Sequence, residues 1–138
     1  MKILITGGTG FIGSHLTQFL KKDNDITIYD VKKPIEKDVK FILGDILDEQ
    51  KILQSFQDFD AIIHLAATVG VKNTETNPVL TLNTNILGTK NILEACKKHN
   101  IKKVILASSS EIYGEPRKVP IDEIQTPIPI TTYGISKL

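Results

Sequence analysis

The chain has 138 residues, 41% of them hydrophobic and 24% charged, with a formal net charge of +1. That composition is ordinary for one packed domain, and the near-zero charge, with lysines scattered as Lys32-Lys33, Lys97-Lys98 and Lys102-Lys103, offers no field for nucleic acid or a membrane surface as partner. A lone Cys96 excludes an internal disulfide, no run nears the ~18 apolar residues of a spanning helix, and Gly7-Gly8 cuts the apolar start too early for a signal peptide, so a reducing, cytoplasmic setting is expected.

In chain order, residues 2–6 read as a buried strand, Lys2-Ile3-Leu4-Ile5-Thr6. It runs into Gly7-Gly8-Thr9-Gly10-Phe11-Ile12-Gly13, and a helical pattern over residues 11–22 follows. A glycine fingerprint acquires meaning only in such a strand-to-helix setting. There Gly7 permits the tight turn, Gly10 lets backbone approach a pyrophosphate, and Gly13 lets the helix pack closely on the strand. The helix N-terminus adds N–H donors and a positive dipole. The spacing is Gly-x-x-Gly-x-x-Gly, not the commoner Gly-x-Gly-x-x-Gly, and a glycine-rich turn without ligand is the competing reading.

Residues 26–29 read as the second strand, ending at Asp30. A carboxylate there can accept both adenosine ribose hydroxyls and repels a 2'-phosphate, which favours NAD over NADP; Lys32 and Lys33 weaken this preference without reversing it. Residues 39–42 form the third strand, closed by Gly44-Asp45-Ile46, which can hold an adenine edge through Asp45 and backbone. Taken alone, Asp45 reads equally well as a turn residue.

A helix over residues 48–56 and a strand over 61–65 come next, then a long helix over 79–98 opened by Asn77-Pro78, and a strand over 104–107. The long helix places Ile86, Ile92, Leu93 and Cys96 on one face. Strands alternating with helices through right-handed crossovers predict an α/β fold, a Rossmann-like doubly wound parallel sheet of strand order 3-2-1-4-5. Over residues 108–132, Pro116, Pro120, Pro127 and Pro129 rule out a long regular element and leave a loop over the C-terminal edge of the sheet, where such folds bind ligands. Residues 133–138 open a further helix. His15 and His64 lack metal-ligand spacing and read as core or supporting residues, His99 as a solvated helix terminus, and Cys96 as packing, so no metal site is expected.

The ordered set Thr-Gly-x-x-Gly-x-x-Gly, Gly44-Asp45-Ile46, His64-Leu65-Ala66-Ala67, Asn85-Ile86-Leu87-Gly88-Thr89, Ser108-Ser109-Ser110-Glu111-Ile112-Tyr113-Gly114 and Tyr133-Gly134-Ile135-Ser136-Lys137 resembles an extended short-chain dehydrogenase/reductase of the NAD-dependent nucleotide-sugar epimerase/dehydratase family. The resemblance runs from Ile3 to Lys137. It implies that the chain is the N-terminal, NAD-binding part of a longer protein whose last strands and substrate domain lie outside it, and that the full-length protein is a homodimer. It also implies that Phe11 and Ile12 lie along the pyrophosphate turn, that Leu65, Ala66, Ala67 and Thr68 pass beside the cofactor ribose, that Thr84 sits near NAD, and that Asn85 ties strand ends together.

Tyr133 and Lys137 stand four apart, on one face of a helix. A phenol of pKa near ~10 is a poor base at neutral pH, and a neighbouring ammonium and a positive nicotinamide favour its phenolate. Tyr133 then takes the proton of a sugar hydroxyl as hydride leaves for NAD, and Lys137 also holds the nicotinamide ribose. The family's catalytic Ser/Thr aligns with Ser109, which would orient the sugar oxygen; Ser108 and Ser110 compete, since one register shift exchanges them. Glu111 bears on which reaction follows. Resembling dehydratases carry Asp-Glu after the catalytic Thr, whereas Ser110 fills the Asp slot here. Ser-Glu occurs in UDP-glucuronate decarboxylases, yet Ala66-Ala67-Thr68 lacks their Ser-Pro texture, and Val69 departs from the Lys of some UDP-galactose epimerases. The expected activity is a UDP-glucose 4-epimerase-like reaction through transient oxidation at sugar C4. The rivals are a UDP-glucuronate decarboxylase, a dTDP-glucose 4,6-dehydratase, or a non-catalytic NAD-binding module.

Overall fold

The alternation of apolar runs and amphipathic segments sets the element order, and a computed structural model, which describes residues 1–35 and 37–138, gives their bounds. These are β1 (Lys2–Thr6), α1 (Phe11–Leu20), β2 (Asp25–Asp30), β3 (Lys40–Leu43), α2 (Glu49–Ser55), β4 (Ala61–His64), α3 (Val71–Thr76), α4 (Pro78–Leu82), a π-helical turn (Asn83–Leu87), α5 (Gly88–Lys98), β5 (Lys103–Leu106), a 3-10 turn (Ser110–Tyr113) and α6 (Thr132–Lys137). The chain divides into two compact units, Met1–Ala66 with Gly88–Leu106, and Ala67–Leu87 with Ala107–Leu138.

The first unit holds the sheet. All four strand pairings are parallel and the order is β3-β2-β1-β4-β5, as the alternation predicts. Successive side chains of a strand face opposite ways, so β1 feeds two cores. Leu4 packs with Tyr29, Ile52, Phe56, Ile62, Ile92 and Cys96 on one side, while Ile3 and Ile5 pack with Ile26, Ala61 and Ile63 on the other, backed by Leu16 and Leu20. The inner strands are buried, whereas β3 and β5, the outer strands of the five, leave their apolar residues half-buried or exposed. Asp48 caps α2 by accepting the Lys51 N–H at 3.0 Å, with Glu49 in the first turn complementing the helix dipole.

Tyr29 joins the second and third strands to the turn that follows them. Its hydroxyl donates to the Asp45 carbonyl at 2.9 Å and its ring meets Phe56 edge-on, 5.6 Å between centroids. Burial, followed by the charges of Asp48 and Asp45, pushes its pKa up to about 12. A phenol whose folded pKa lies above its unfolded value of ~10 contributes stability below that unfolded value and loses it as pH rises through the folded one. Denaturant titrations are therefore expected to show stability falling between about pH 10 and 12 by roughly 3 kcal/mol, and the Tyr29→Phe variant to lack that share of the fall.

Two features depart from the sequence reading. The helix expected over residues 79–98 is divided by the π-helical turn into α4 and α5. Ile92 and Cys96 are buried with Gly88, Asn91 and Ala95, while Leu93 on the same helix and Ile86 inside the π-helical turn are 43% and 46% exposed, so the burial expected of all four holds for two. Short elements also form where none was expected: α3, and the 3-10 turn Ser110–Tyr113 inside the proline-rich stretch, whose prolines all lie beyond it. Asn77-Pro78 does open a helix, with Asn77 at the N-cap and Pro78 at the first position.

Candidate functional site

In the first unit, the turn between β1 and α1 is shaped by two glycines. Gly7 has φ of +70°, and a Cβ there would lie 2.6 Å from the Ala66 nitrogen, so any side chain is excluded by both backbone conformation and space. Gly13 is buried, and a Cβ on it would lie 2.7 Å from the Gly8 Cα, which is the close helix-on-strand packing that the fingerprint requires. Gly10 is the N-cap of α1 and no side chain caps that end. Phe11 and Ile12 follow it 83% and 64% exposed, an unusual exposure for large apolar residues.

Asp30, half-buried at the end of β2, faces this turn. One carboxylate oxygen accepts the Thr9 N–H at 3.0 Å and the other accepts the Lys32 N–H at 3.1 Å, so the acid is fixed beside the glycine turn. Asp45 is exposed and accepts the Leu47 N–H at 2.9 Å, the turn role that was its competing reading, while its neighbour Ile46 is 5% exposed within the core. The Ile46 carbonyl accepts from Asn91 Nδ2 at 3.0 Å. Leu65 and Ala66 are half-buried just beyond β4, Leu65 donating its N–H to the Thr6 carbonyl at 3.0 Å. An apolar turn with uncapped helix N–H groups, no room for side chains, and a carboxylate at the next strand end fits an adenine dinucleotide.

The second unit gathers the other candidates. Thr131 caps α6, its hydroxyl oxygen accepting the Gly134 N–H at 2.9 Å and its proton going to Glu111 Oε2 at 2.8 Å. Tyr133 stands on the first turn and Lys137 one turn later, its Nζ 5.9 Å from the Tyr133 ring centroid and donating to the Ala107 carbonyl at 3.0 Å. Burial, followed by the Glu111 charge, pushes the Tyr133 phenol up, and burial pushes the Lys137 ammonium down. The Ser108 hydroxyl donates to the Lys137 carbonyl at 3.0 Å, which commits it to the end of α6. Ser109 is half-buried and accepts the Glu111 N–H at 3.2 Å, which caps the 3-10 turn; Ser110 is exposed. Ala67 is half-buried, as is Thr84 in the π-helical turn.

Beside Thr84, Asn85 is 3% exposed; its Oδ1 accepts the Thr68 N–H at 2.7 Å, and its Nδ2 donates to the Thr68 carbonyl at 3.2 Å and to Ser136 Oγ at 2.8 Å. The Ser136 hydroxyl passes its own proton to the Tyr133 carbonyl at 2.8 Å. Asn85 thus ties the segment after β4 to the Tyr133 helix. Sequence reasoning missed Thr131 and Ser136; a Thr just ahead of Tyr133-Gly134 is an N-cap signal that would have found the first.

His99 is half-buried rather than solvated, its Nε2 donating to the Leu53 carbonyl at 2.8 Å, so it ties the end of α5 to α2. His15 Nδ1 donates to the Phe11 carbonyl at 2.7 Å, and Cys96 is 3% exposed within the core. Among the described residues no group of three or more His, Cys, Asp or Glu is placed to hold a metal ion, and no helix is long and apolar enough to cross a membrane.

A family model described as "NAD dependent epimerase/dehydratase family" matches residues 3–138. The chain belongs to that family. Among curated members, the UDP-glucose 4-epimerase of Halalkalibacterium halodurans is 36% identical over 147 aligned positions, covering 100% of this chain and 43% of the relative. Among solved structures, the UDP-Glc/GlcNAc 4-epimerase of Campylobacter jejuni is 37% identical with a TM-score of 0.90, covering 99% of this chain and 45% of that one. The UDP-glucose 4-epimerase of Bifidobacterium longum, in complex with NAD+ and UDP, is 32% identical with a TM-score of 0.91, covering 99% of this chain and 46% of that one. The chain therefore spans just under half the length of the epimerase-family proteins it matches.

Proposed function

We propose that this chain is the NAD-binding part of a nucleotide-sugar 4-epimerase acting on a UDP-hexose such as UDP-glucose. The observation that carries the reading is the Asp30 carboxylate fixed at 3.0 Å on the Thr9 N–H beside the Gly7 turn, in a chain that also bears Tyr133 and Lys137 on one short helix. Gly7, Gly10, Phe11, Ile12 and Gly13 would hold the pyrophosphate, Asp30 the adenosine ribose, Asp45 and Ile46 the adenine edge, and Leu65, Ala66, Ala67 and Thr84 the remainder of the cofactor. When bound, NAD supplies a reversible hydride acceptor for the sugar C4.

Tyr133 takes the proton of the 4-hydroxyl, and the same phenol returns it once the 4-keto sugar has presented its other face. Lys137 sits one turn from that phenol and opposes its protonated state electrostatically. Among the three serines, the Ser108 hydroxyl proton is committed to the Lys137 carbonyl, whereas Ser109 accepts the Glu111 N–H and keeps its own proton for the sugar oxygen, where charge develops in the ketone. Glu111 is engaged by the Thr131 hydroxyl, which supports a role in positioning α6 over one as a base at sugar carbon.

Because Glu111 is a cause of the raised Tyr133 pKa, and turnover requires the phenolate, activity rises with pH through that pKa. The Glu111→Gln variant is expected to move the acid limb of the kcat profile to lower pH while keeping an oxygen for Thr131, and a pH series of kcat checks it. The reading itself is tested on full-length protein supplied separately with UDP-glucose, UDP-glucuronate and dTDP-glucose. Conversion of UDP-glucose to UDP-galactose is the expected outcome. Release of carbon dioxide or of water from the other two sugars would overturn it and return Glu111 to the chemistry, and no turnover of any of them would leave an NAD-binding module.

A further inference from the structure

The buried histidine at the end of β4 has no part in the chemistry above, yet its bonds lead directly to the glycine turn. His64 is 4% exposed and pairs in register with Thr6, the last residue of β1. Its Nδ1 is 2.6 Å from Thr6 Oγ1 and its Nε2 is 3.0 Å from Thr89 Oγ1. Thr6 Oγ1 also accepts the Ala66 N–H at 3.3 Å. Among the described residues the Thr6 hydroxyl has no third partner, and the side chain is 0% exposed. If Nδ1 carried the proton, the Thr6 proton would be stranded in the core. One assignment gives every proton a partner: Thr6 donates to Nδ1, and the neutral ring donates from Nε2 to Thr89.

The consequence lies at Ala66. Thr6 can hold the Ala66 N–H steadily only while its own proton is fixed on His64, and the Ala66 backbone is the wall against which Gly7 has no space for a side chain. We propose that His64, as a neutral imidazole with its proton on Nε2, is a positioning residue for NAD binding, fixing Thr6 and through it the Ala66 backbone beside the Gly7 turn. The inference rests on the NAD reading above and adds to it a residue that touches neither cofactor nor substrate.

The test measures NAD affinity by calorimetry and thermal stability in parallel, on full-length protein. His64→Leu removes the acceptor and the donor together and is expected to weaken NAD by about 10- to 100-fold, by analogy with the loss of residues that orient metal ligands. His64→Asn places an amide oxygen near the Nδ1 position, keeps the acceptor for Thr6, and is expected to recover most of that loss; His64→Gln keeps mainly the donor toward Thr89 and is expected not to. Thr6→Val, which breaks the same link from the other side, is expected to match His64→Leu, and serves if the latter does not fold. Affinity following the Asn-versus-Gln distinction, out of step with melting temperature, supports the proposal. NAD affinity unchanged in His64→Leu or Thr6→Val, or equal in the Asn and Gln variants, would overturn it alone. An unmodified protein with no affinity for NAD would overturn the NAD reading and this inference with it.

Discussion

Replacing Tyr133 by Phe in the full-length protein is expected to lower kcat by about 100- to 10,000-fold, the contribution of a positioned proton-transfer group, with bound NAD retained. The substitution removes one oxygen and little else. The ring that stands 5.9 Å from Lys137 Nζ remains, and the helix is held by groups the change does not touch: the Thr131 cap on Gly134, the Ser108 bond to the Lys137 carbonyl, and the Asn85–Ser136 link to the Tyr133 carbonyl. Loss of kcat at constant NAD content therefore isolates the phenol. Activity within tenfold of the unmodified protein would mean that another group takes the proton, with Glu111, whose charge acts on that phenol, the first candidate to replace next.

The second large effect is expected at Gly7, where Gly7→Val should cost about 3 kcal/mol or more and abolish NAD binding. Two penalties act together. A β-branched residue at φ of +70° is strained by roughly 1–3 kcal/mol, and its Cβ would lie 2.6 Å from the Ala66 nitrogen, which is backbone and yields only if the segment beyond β4 moves. Chemical denaturation and calorimetry read the two consequences separately. A Gly7→Val protein of unchanged stability that still binds NAD would show that this turn is not the pyrophosphate cradle.

What the sequence made legible divides by the physics involved. Period and composition located all five strands and their order, because short apolar, β-branched runs alternating with helical patterns imply a parallel sheet, and crossover handedness then leaves few topologies. The glycine positions were legible because their spacing falls between a strand and a helix, the setting in which such a fingerprint acquires meaning. The π-helical turn was not, because one extra residue in a helix changes no residue type. Ile86, inside that turn, and Leu93, on α5, are exposed against the burial expected of them. His99 shows a second limit: nothing in Lys-Lys-His-Asn signals that its ring reaches the Leu53 carbonyl, since the partner lies 46 residues away. At the candidate site the residue types and their spacing were readable, and the roles of Ser108 and Thr131 as struts were not, because those depend on where a proton goes once the chain has folded.

The most direct test of hydride return at C4 follows an isotope. UDP-glucose carrying deuterium at the sugar C4 is incubated with full-length protein, and the UDP-galactose formed is examined by mass and by proton resonance. Transient oxidation with return of the same hydride predicts that the label stays at C4 in the inverted sugar. Loss of the label to solvent during inversion would contradict it, since C4 would then have exchanged its hydrogen as a proton and Tyr133 and Lys137 would serve some other chemistry.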